Sequence, residues 1–250
     1  MLDAETAPIE RARLLARIRR EFAVVEDVVS LGERRLPFVR VADADAVLDA
    51  VCAQAELEDQ GVAPKRELRM PYWAAVWESG VALAEHLAGR GVDHRLAGLS
   101  VLDLGCGMGV VGAAMALLGG RVTLADIDTA SLLFARLNTL AWSDRARVVR
   151  CDWHVDDLGA RFDLIAGGDV LYDADQWAPI EAFARRHLAA QGVLLLGEPG
   201  RLNADRFPAW LESLGWSIAR STRVVGERTV RIYEAQPNGY RPVRRRPRSP

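Results

Sequence analysis

The sequence predicts a doubly wound, Rossmann-like α/β fold whose seven-stranded mixed sheet ends in an antiparallel hairpin. A cap made of an N-terminal helix and a β-hairpin precedes it. Three observations carry this expectation. From Gly98 onward, short apolar runs alternate with helical patterns, which builds a mainly parallel sheet with helices on both faces. The first run, residues 101–104, leads into Gly105, Gly107 and Gly109 and then into an apolar helix. That strand–turn–helix junction offers free N–H groups and close backbone approach to a nucleotide-like group. The last two runs, residues 216–225 and 228–235, are joined only by Gly226-Glu227, a hairpin signal foreign to an all-parallel sheet.

Residues 8–21 read as a helix. Pro8 suits its first turn, and Ile9, Leu14, Leu15 and Ile18 form an apolar stripe among Arg11, Arg13, Arg17, Arg19 and Arg20. Those arginines make either a solvated face or a contact for an acidic protein partner. Residues 22–31 and 36–41 read as strands joined by Gly32-Glu33-Arg34-Arg35, and 43–55 as a helix capped by Asp43 or Asp45. A charged connector, residues 56–70, follows. Residues 1–70 supply no strand to the alternating region. They are expected to cap the substrate side, and deletion to residue 41 is expected to leave cofactor binding nearly intact.

The principal domain spans residues 71–235. An aromatic stretch, 71–77, is followed by a helix over 78–89. Strands are expected at 99–104, 121–126, 146–150, 162–167 and 192–197, and helices at 109–119, 129–143, 175–190 and 203–215, before the closing hairpin. Asp128 and Asp175 read as helix caps. Residues 236–250 carry Pro237, Pro242, Pro247 and Pro250 with five arginines and read as a disordered basic tail.

Composition narrows the function. Half of the 250 residues are hydrophobic, enough for a sizeable core. The net charge of -2 argues against a nucleic-acid partner held by a global basic field. Cys52, Cys106 and Cys151 show no C-x-x-C spacing and the four histidines are scattered, so reduced thiols, a cytoplasmic location and no metal are expected. No apolar run approaches a membrane span, and residues 1–20 lack the apolar run of a signal peptide.

The glycine turn fits two patterns. Gly107-Met108-Gly109-Val110-Val111-Gly112 matches the dinucleotide pattern G-x-G-x-x-G, which would make the protein an NAD(P)-dependent oxidoreductase. Asp103 through Gly109 matches D-x-G-x-G-x-G. Asp103 argues for the second, because an acid aimed into the turn repels a pyrophosphate and attracts a cation. S-adenosyl-L-methionine carries an ammonium and a sulfonium. Asp126, with Ile127 beside it, ends the next strand as an acceptor for ribose hydroxyls. Asp152 and Trp153 end the third and suit an adenine amine and face.

Four stretches make the resemblance narrower: Pro71-Tyr72-Trp73-Ala74-Ala75-Val76-Trp77-Glu78-Ser79-Gly80, the glycine turn, Cys151-Asp152-Trp153, and Gly168-Asp169-Val170-Leu171-Tyr172-Asp173. With them the chain, over residues 70 to 235, resembles the class I, seven-β-strand, S-adenosylmethionine-dependent methyltransferases. Within that class it resembles the family-16 protein-lysine methyltransferases, above all those of the electron-transfer flavoprotein β-subunit. The resemblance implies a lysine side chain of a protein as acceptor. A small-molecule N- or O-methyltransferase is the alternative on the same fold. It also implies Trp77, Asp103, Gly105, Gly107, Asp126, Ile127, Asp152 and Trp153 on the cofactor side. Asp169 and Tyr172, the family's D-x-x-Y, fall on the acceptor side, and Glu198 is a candidate for substrate contact.

Overall fold

The computed structural model describes residues 6–62, 64, 68–89, 96–202 and 204–239. Nine strands and seven α-helices are described in chain order: α1 (Thr6–Ile18), β1 (Val24–Leu31), β2 (Arg34–Val41), α2 (Ala44–Asp59), α3 (Glu78–Ala88), β3 (Ser100–Leu104), α4 (Val110–Leu117), β4 (Arg121–Asp126), α5 (Thr129–Asn138), β5 (Ala146–Arg150), β6 (Phe162–Gly168), α6 (Trp177–His187), β7 (Leu188–Glu198), α7 (Phe207–Ser213), β8 (Trp216–Val225) and β9 (Arg228–Pro237).

The main sheet has the order β5-β4-β3-β6-β7-β9-β8. Strands β3 to β7 pair in parallel. The final hairpin folds back so that β9 lies antiparallel between β7 and β8. The chain leaves β3 toward β4 and β5 and then returns to β6 on the other side. The carboxyl ends of β3, β4 and β6 therefore meet where strand order reverses, the place where an open α/β sheet leaves a crevice for a ligand.

Side chains alternate between two cores, as the pleat requires. Val101, Leu124, Ala166, Leu195 and Ile232 face one core, with α4, α5 and the N-terminal elements. Leu102, Ala125, Ile165, Leu194, Leu196 and Tyr233 face the other, with α6 and α7. Burial on both faces explains why β3 is apolar at Val101, Leu102 and Leu104 without alternation, Asp103 being the exception.

Several boundaries differ from expectation for identifiable reasons. The first hairpin turns on two residues, Gly32-Glu33, so β2 begins at Arg34. Asp43 caps α2, accepting from the Ala46 N–H at 3.1 Å, and α2 takes four residues from the expected connector. Helix α5 ends at Asn138, where the side chain turns inward to the cap, and a 3-10 turn over Leu140–Trp142 replaces the expected last turn. Strand β7 starts directly after α6, because Leu188 pairs with Phe162 ahead of a register shift. Asp128 caps α5 as expected. At the other site the capping acid is Asp173, not Asp175, and its carboxylate accepts from the Asp175 N–H. Of the tail expected over 236–250, Pro237 closes β9, and residues 240–250 lie outside the described residues.

The larger correction concerns the cap. Leu14, Leu15, Ile18, Leu36, Phe38, Val39 and Val41 share one buried core with α4 and α5. The ring of Phe22 packs on Trp73 and Phe134, with centroids 5.3 and 5.9 Å away. Asn138, itself buried, donates its amide to the carbonyls of Val39 and Met108, each at 2.9 Å, and accepts the Val39 N–H at 2.7 Å. One α5 side chain thus ties β2 to the glycine turn. The N-terminal elements are a structural wall of the domain, and their removal would strip its core rather than lift off a lid.

Candidate active site

A cavity of about 290 Å³ opens at the strand-order reversal, near the lower end of the range for small-molecule sites. Its inner half is built from the ends of β3 and β4. Gly105, at φ 65°, leaves room for the Trp153 ring and Val170; a Cβ there would meet Val170 Cγ1 at 2.9 Å and the ring at 3.3 Å. Gly112 is demanded by packing: a Cβ would lie 2.3 Å from Leu124, so α4 could not settle on β4.

Asp103 is 1% exposed and lines the cavity. Its Oδ2 accepts the Gly112 N–H at 2.7 Å. Burial pushes its carboxyl up to about 7, with that hydrogen bond opposing and repulsion from Asp126 adding to the rise. Asp126, also buried, accepts the Gly107 N–H on Oδ2 at 2.8 Å and the Asp128 N–H on Oδ1 at 2.9 Å. Burial raises its pKa against those two bonds. Ser131 adds a side-chain hydrogen bond, and the carboxylate retains acceptor capacity for a further donor. Ile127 and Trp153 complete this half. The Trp153 indole N–H is anchored to Gln176 Oε1 at 3.0 Å, so the ring's orientation is fixed from outside.

Asp152 is not among the lining residues. Its Oδ1 accepts the His154 N–H at 3.0 Å in a local turn, and Trp153 alone represents that strand end in the cavity.

The outer half gathers around Asp169, at the end of β6. Its backbone φ is 57°, a left-handed conformation that carries a strain cost of about 1 to 3 kcal/mol for a non-glycine residue. The Asp169 N–H donates to the Gly197 carbonyl at 2.9 Å, and its carboxylate is gripped on both oxygens by Arg201: Nε to Oδ1 at 2.7 Å and Nη2 to Oδ2 at 2.6 Å. Burial raises the Asp169 pKa while Arg201 pulls it down. Tyr172 and Tyr72 flank the mouth, 41% and 50% exposed, with ring centroids 5.4 Å apart. Partial burial raises the Tyr172 phenol, helped by Tyr72 and Asp173, so it remains a neutral donor.

Trp77 was expected in the cofactor wall. It lines the cavity on the Asp169 side, donating its indole N–H to the Tyr72 carbonyl at 2.7 Å and lying under the Arg201 guanidinium, 5.4 Å from centroid to Cζ. Glu198 is corrected from substrate contact to support. It is 0% exposed and absent from the cavity wall. One oxygen accepts the Gly200 and Arg201 N–H groups, and the other is paired with Arg231 Nε at 2.7 Å.

Sequence reasoning missed Arg201 and Tyr72 as cavity residues. Tyr72 sits in the first of the four stretches and Arg201 three residues after Glu198, yet the Arg201–Asp169 pair spans 32 positions and no spacing rule reaches that far. The strand-end position of Gly197-Glu198-Pro199-Gly200-Arg201 was the available signal.

The residues fit S-adenosylmethionine. Buried acids at the ends of β3 and β4 suit a cationic group and ribose hydroxyls, whereas a pyrophosphate would meet Asp103, Asp126 and Asp128 in the same cavity. The fold is that of the Rossmann-like methyltransferases. The chain belongs to the lysine methyltransferase family, whose model matches residues 63–209.

Among curated relatives, the mouse EEF1A lysine methyltransferase 3 is 34% identical over 53% of this chain and 58% of its own length. The Xenopus laevis electron transfer flavoprotein beta subunit lysine methyltransferase is 33% identical over 61% and 63%. The mouse protein N-lysine methyltransferase METTL21A is 31% identical over 67% and 79%. The chain spans less than two thirds of the length of the first two. Among solved structures, the glycopeptide N-methyltransferase MtfA with S-adenosyl-L-methionine superposes at TM-score 0.54 and 19% identity, covering 62% of this chain and 86% of that one. A putative RNA methyltransferase from Pyrococcus horikoshii gives 0.54 at 18%, covering 76% and 98%. At these identities the likeness is one of fold.

Proposed function

We propose that the protein transfers a methyl group from S-adenosyl-L-methionine to a lysine amine of a protein substrate. One observation carries this reading: a single cavity joins a buried acid pair on a glycine turn to an outer mouth made of Asp169, Tyr72 and Tyr172. Membership of the lysine methyltransferase family, and relatives named for protein lysines, support the acceptor class.

The bound cofactor would supply an electrophilic methyl group on a sulfonium, and the chain's own residues would do the rest. Asp126 would accept ribose hydroxyls, Trp153 would cover the base, and Asp103 would face the cationic end. The alkyl stem and amine of lysine would pass between Tyr72 and Tyr172, whose ring faces attract an ammonium. Asp169 would orient the amine by accepting one of its hydrogens, leaving the nitrogen lone pair for in-line attack. Alignment and exclusion of water are the main catalytic devices for such a displacement. An acceptor lysine starts from a pKa of about 10.4, so the site must also favour its neutral form.

A cytoplasmic location belongs to the same proposal, supported by the unpaired thiols of Cys52, Cys106 and Cys151. Among the described residues no helix is long and apolar enough to cross a membrane.

The test is incubation with cofactor radiolabelled on the methyl group and a lysate of the host. Label in the protein fraction is expected. Label confined to the small-molecule fraction would replace the acceptor class, and calorimetry detecting NAD but not S-adenosylhomocysteine would reject the reading.

A further inference from the structure

A carboxylate at the acceptor position raises a problem. Asp169 beside a lysine amine favours the ammonium, which has no lone pair for attack. The structure meets this with a second cation. Arg201 occupies both Asp169 oxygens with two parallel bonds, and the pair is nearly closed to solvent on the aspartate side, where the side chain is 4% exposed.

Arg201 is itself held at its backbone and at its guanidinium. Its backbone N–H is accepted by Glu198, Glu198 is pinned by Arg231 of β9, and its guanidinium lies over the Trp77 ring. The carboxylates nearest the pair have partners of their own, and Asp103, deeper in the same cavity, is engaged by the Gly112 N–H. Glu78 of α3 is bridged to Arg228 of β9 at 3.1 Å. Glu198 is spoken for by Arg231. Tyr172, after β6, has its phenol pushed up by burial, and Tyr72 offers a further phenol. Asp126 stands at the opposite, inner end of the cavity and is engaged with the glycine turn.

We infer that Arg201 is a positioning residue that makes the acceptor pocket selective for a neutral amine: its bidentate grip on Asp169 cancels the anion's hold on the acceptor's proton while leaving the carboxylate able to orient an N–H. This rests on the methyltransferase reading and deepens it. It also gives the Arg231–Glu198 pair, buried on the glutamate side, a purpose, since that pair fixes the backbone from which Arg201 reaches across to β6.

The test uses butylamine as a surrogate for the lysine side chain. It is titrated into the S-adenosylhomocysteine complex of the full chain over a range of pH and followed by tryptophan fluorescence. In the wild type, binding is expected to strengthen as pH rises toward the amine's own pKa. In Arg201→Gln the exposed charge of Asp169 should capture the ammonium, so binding near neutral pH strengthens. The midpoint of the pH dependence should then move up by about 1 to 3 pH units, the usual effect of a charge at this range. Arg201→Lys, which keeps the cation and loses the fork, should shift less and guards against misfolding of the first variant. S-adenosylhomocysteine affinity should change by less than about threefold in both. An unshifted midpoint in the two variants, with weaker amine binding at every pH, would overturn the inference and leave Arg201 a structural brace. Failure of the wild type to bind S-adenosylhomocysteine would instead overturn the methyltransferase reading, and this inference with it.

Discussion

Replacing Asp103 with asparagine should stabilise the ligand-free protein and weaken its hold on the cofactor. The carboxyl stands at about 7 in the fold against 3.8 as a free side chain, chiefly because it is buried. Between those two values the folded state retains a proton that the unfolded chain has released, so each step up in pH favours unfolding. A shift of about 3 units corresponds to an upper bound on the order of 4 kcal/mol lost once pH exceeds 7. Asparagine keeps an oxygen for the Gly112 N–H and carries no charge. Thermal unfolding of wild type and Asp103→Asn, compared between about pH 5 and about pH 8, should therefore show a gap that widens as pH rises. The same variant should bind S-adenosylmethionine about 10- to 100-fold more weakly above neutrality, as expected for loss of one charged contact to a cationic ligand. Wild-type affinity should rise with pH up to about 7 and then level off, because ligand binding must expel the Asp103 proton below that point. Superimposable stability curves and equal affinities for the two proteins would refute the reasoning, since Asp103 would then be neither charged in the fold nor in contact with the cofactor.

Other substitutions separate the remaining roles. Asp126→Ala removes an acceptor for ribose and also frees the Gly107 and Asp128 N–H groups, so calorimetry should find S-adenosylhomocysteine affinity lowered at least about tenfold. Tyr172→Phe should leave cofactor titrations unchanged and lower single-turnover methylation; retention of most of the rate would assign Tyr172's contribution to its ring face, and loss of most of it to the hydroxyl. Asn138→Ala strands the Val39 N–H and the Val39 and Met108 carbonyls, which should cost about 3 kcal/mol in denaturant unfolding. It should also loosen cofactor binding through the glycine turn, an effect absent if the cap and turn were independent. Deletion of residues 1–41 should give a protein without cooperative unfolding, because it removes eight residues of the buried core together with Phe22.

Much of this architecture is legible in the chain because its signals are local. The alternation after Gly98, the glycine turn and the two-residue closing turn each follow from backbone sterics and apolar period. Asp103, Asp126 and Asp169 could be placed at strand ends from position alone. Cross-chain pairing was the part that stayed hidden. Asp152 and Glu198 occupy the same kind of strand-end position, yet a local turn claims the first and Arg231 claims the second, so neither faces the cavity. Arg201 enters the site only because β7 and β6 are neighbours. The cap was misread for a related reason: its strands lie outside the main sheet, and what makes them indispensable, a core shared with α4 and α5 and the Asn138 hydrogen bonds, comes from helices far along the chain. Position along a strand predicts where a side chain begins; the partner that absorbs its charge comes from elsewhere in the fold.

The central claim is that this site methylates lysine in protein. The most direct measurement is mass-spectrometric localisation of the methyl group on the labelled protein from the host lysate, with Asp169→Ala as the control. The account predicts modification on a lysine side-chain nitrogen that disappears with the variant, while S-adenosylhomocysteine still binds. Methyl groups on another residue type, or labelling that persists in Asp169→Ala, would contradict it.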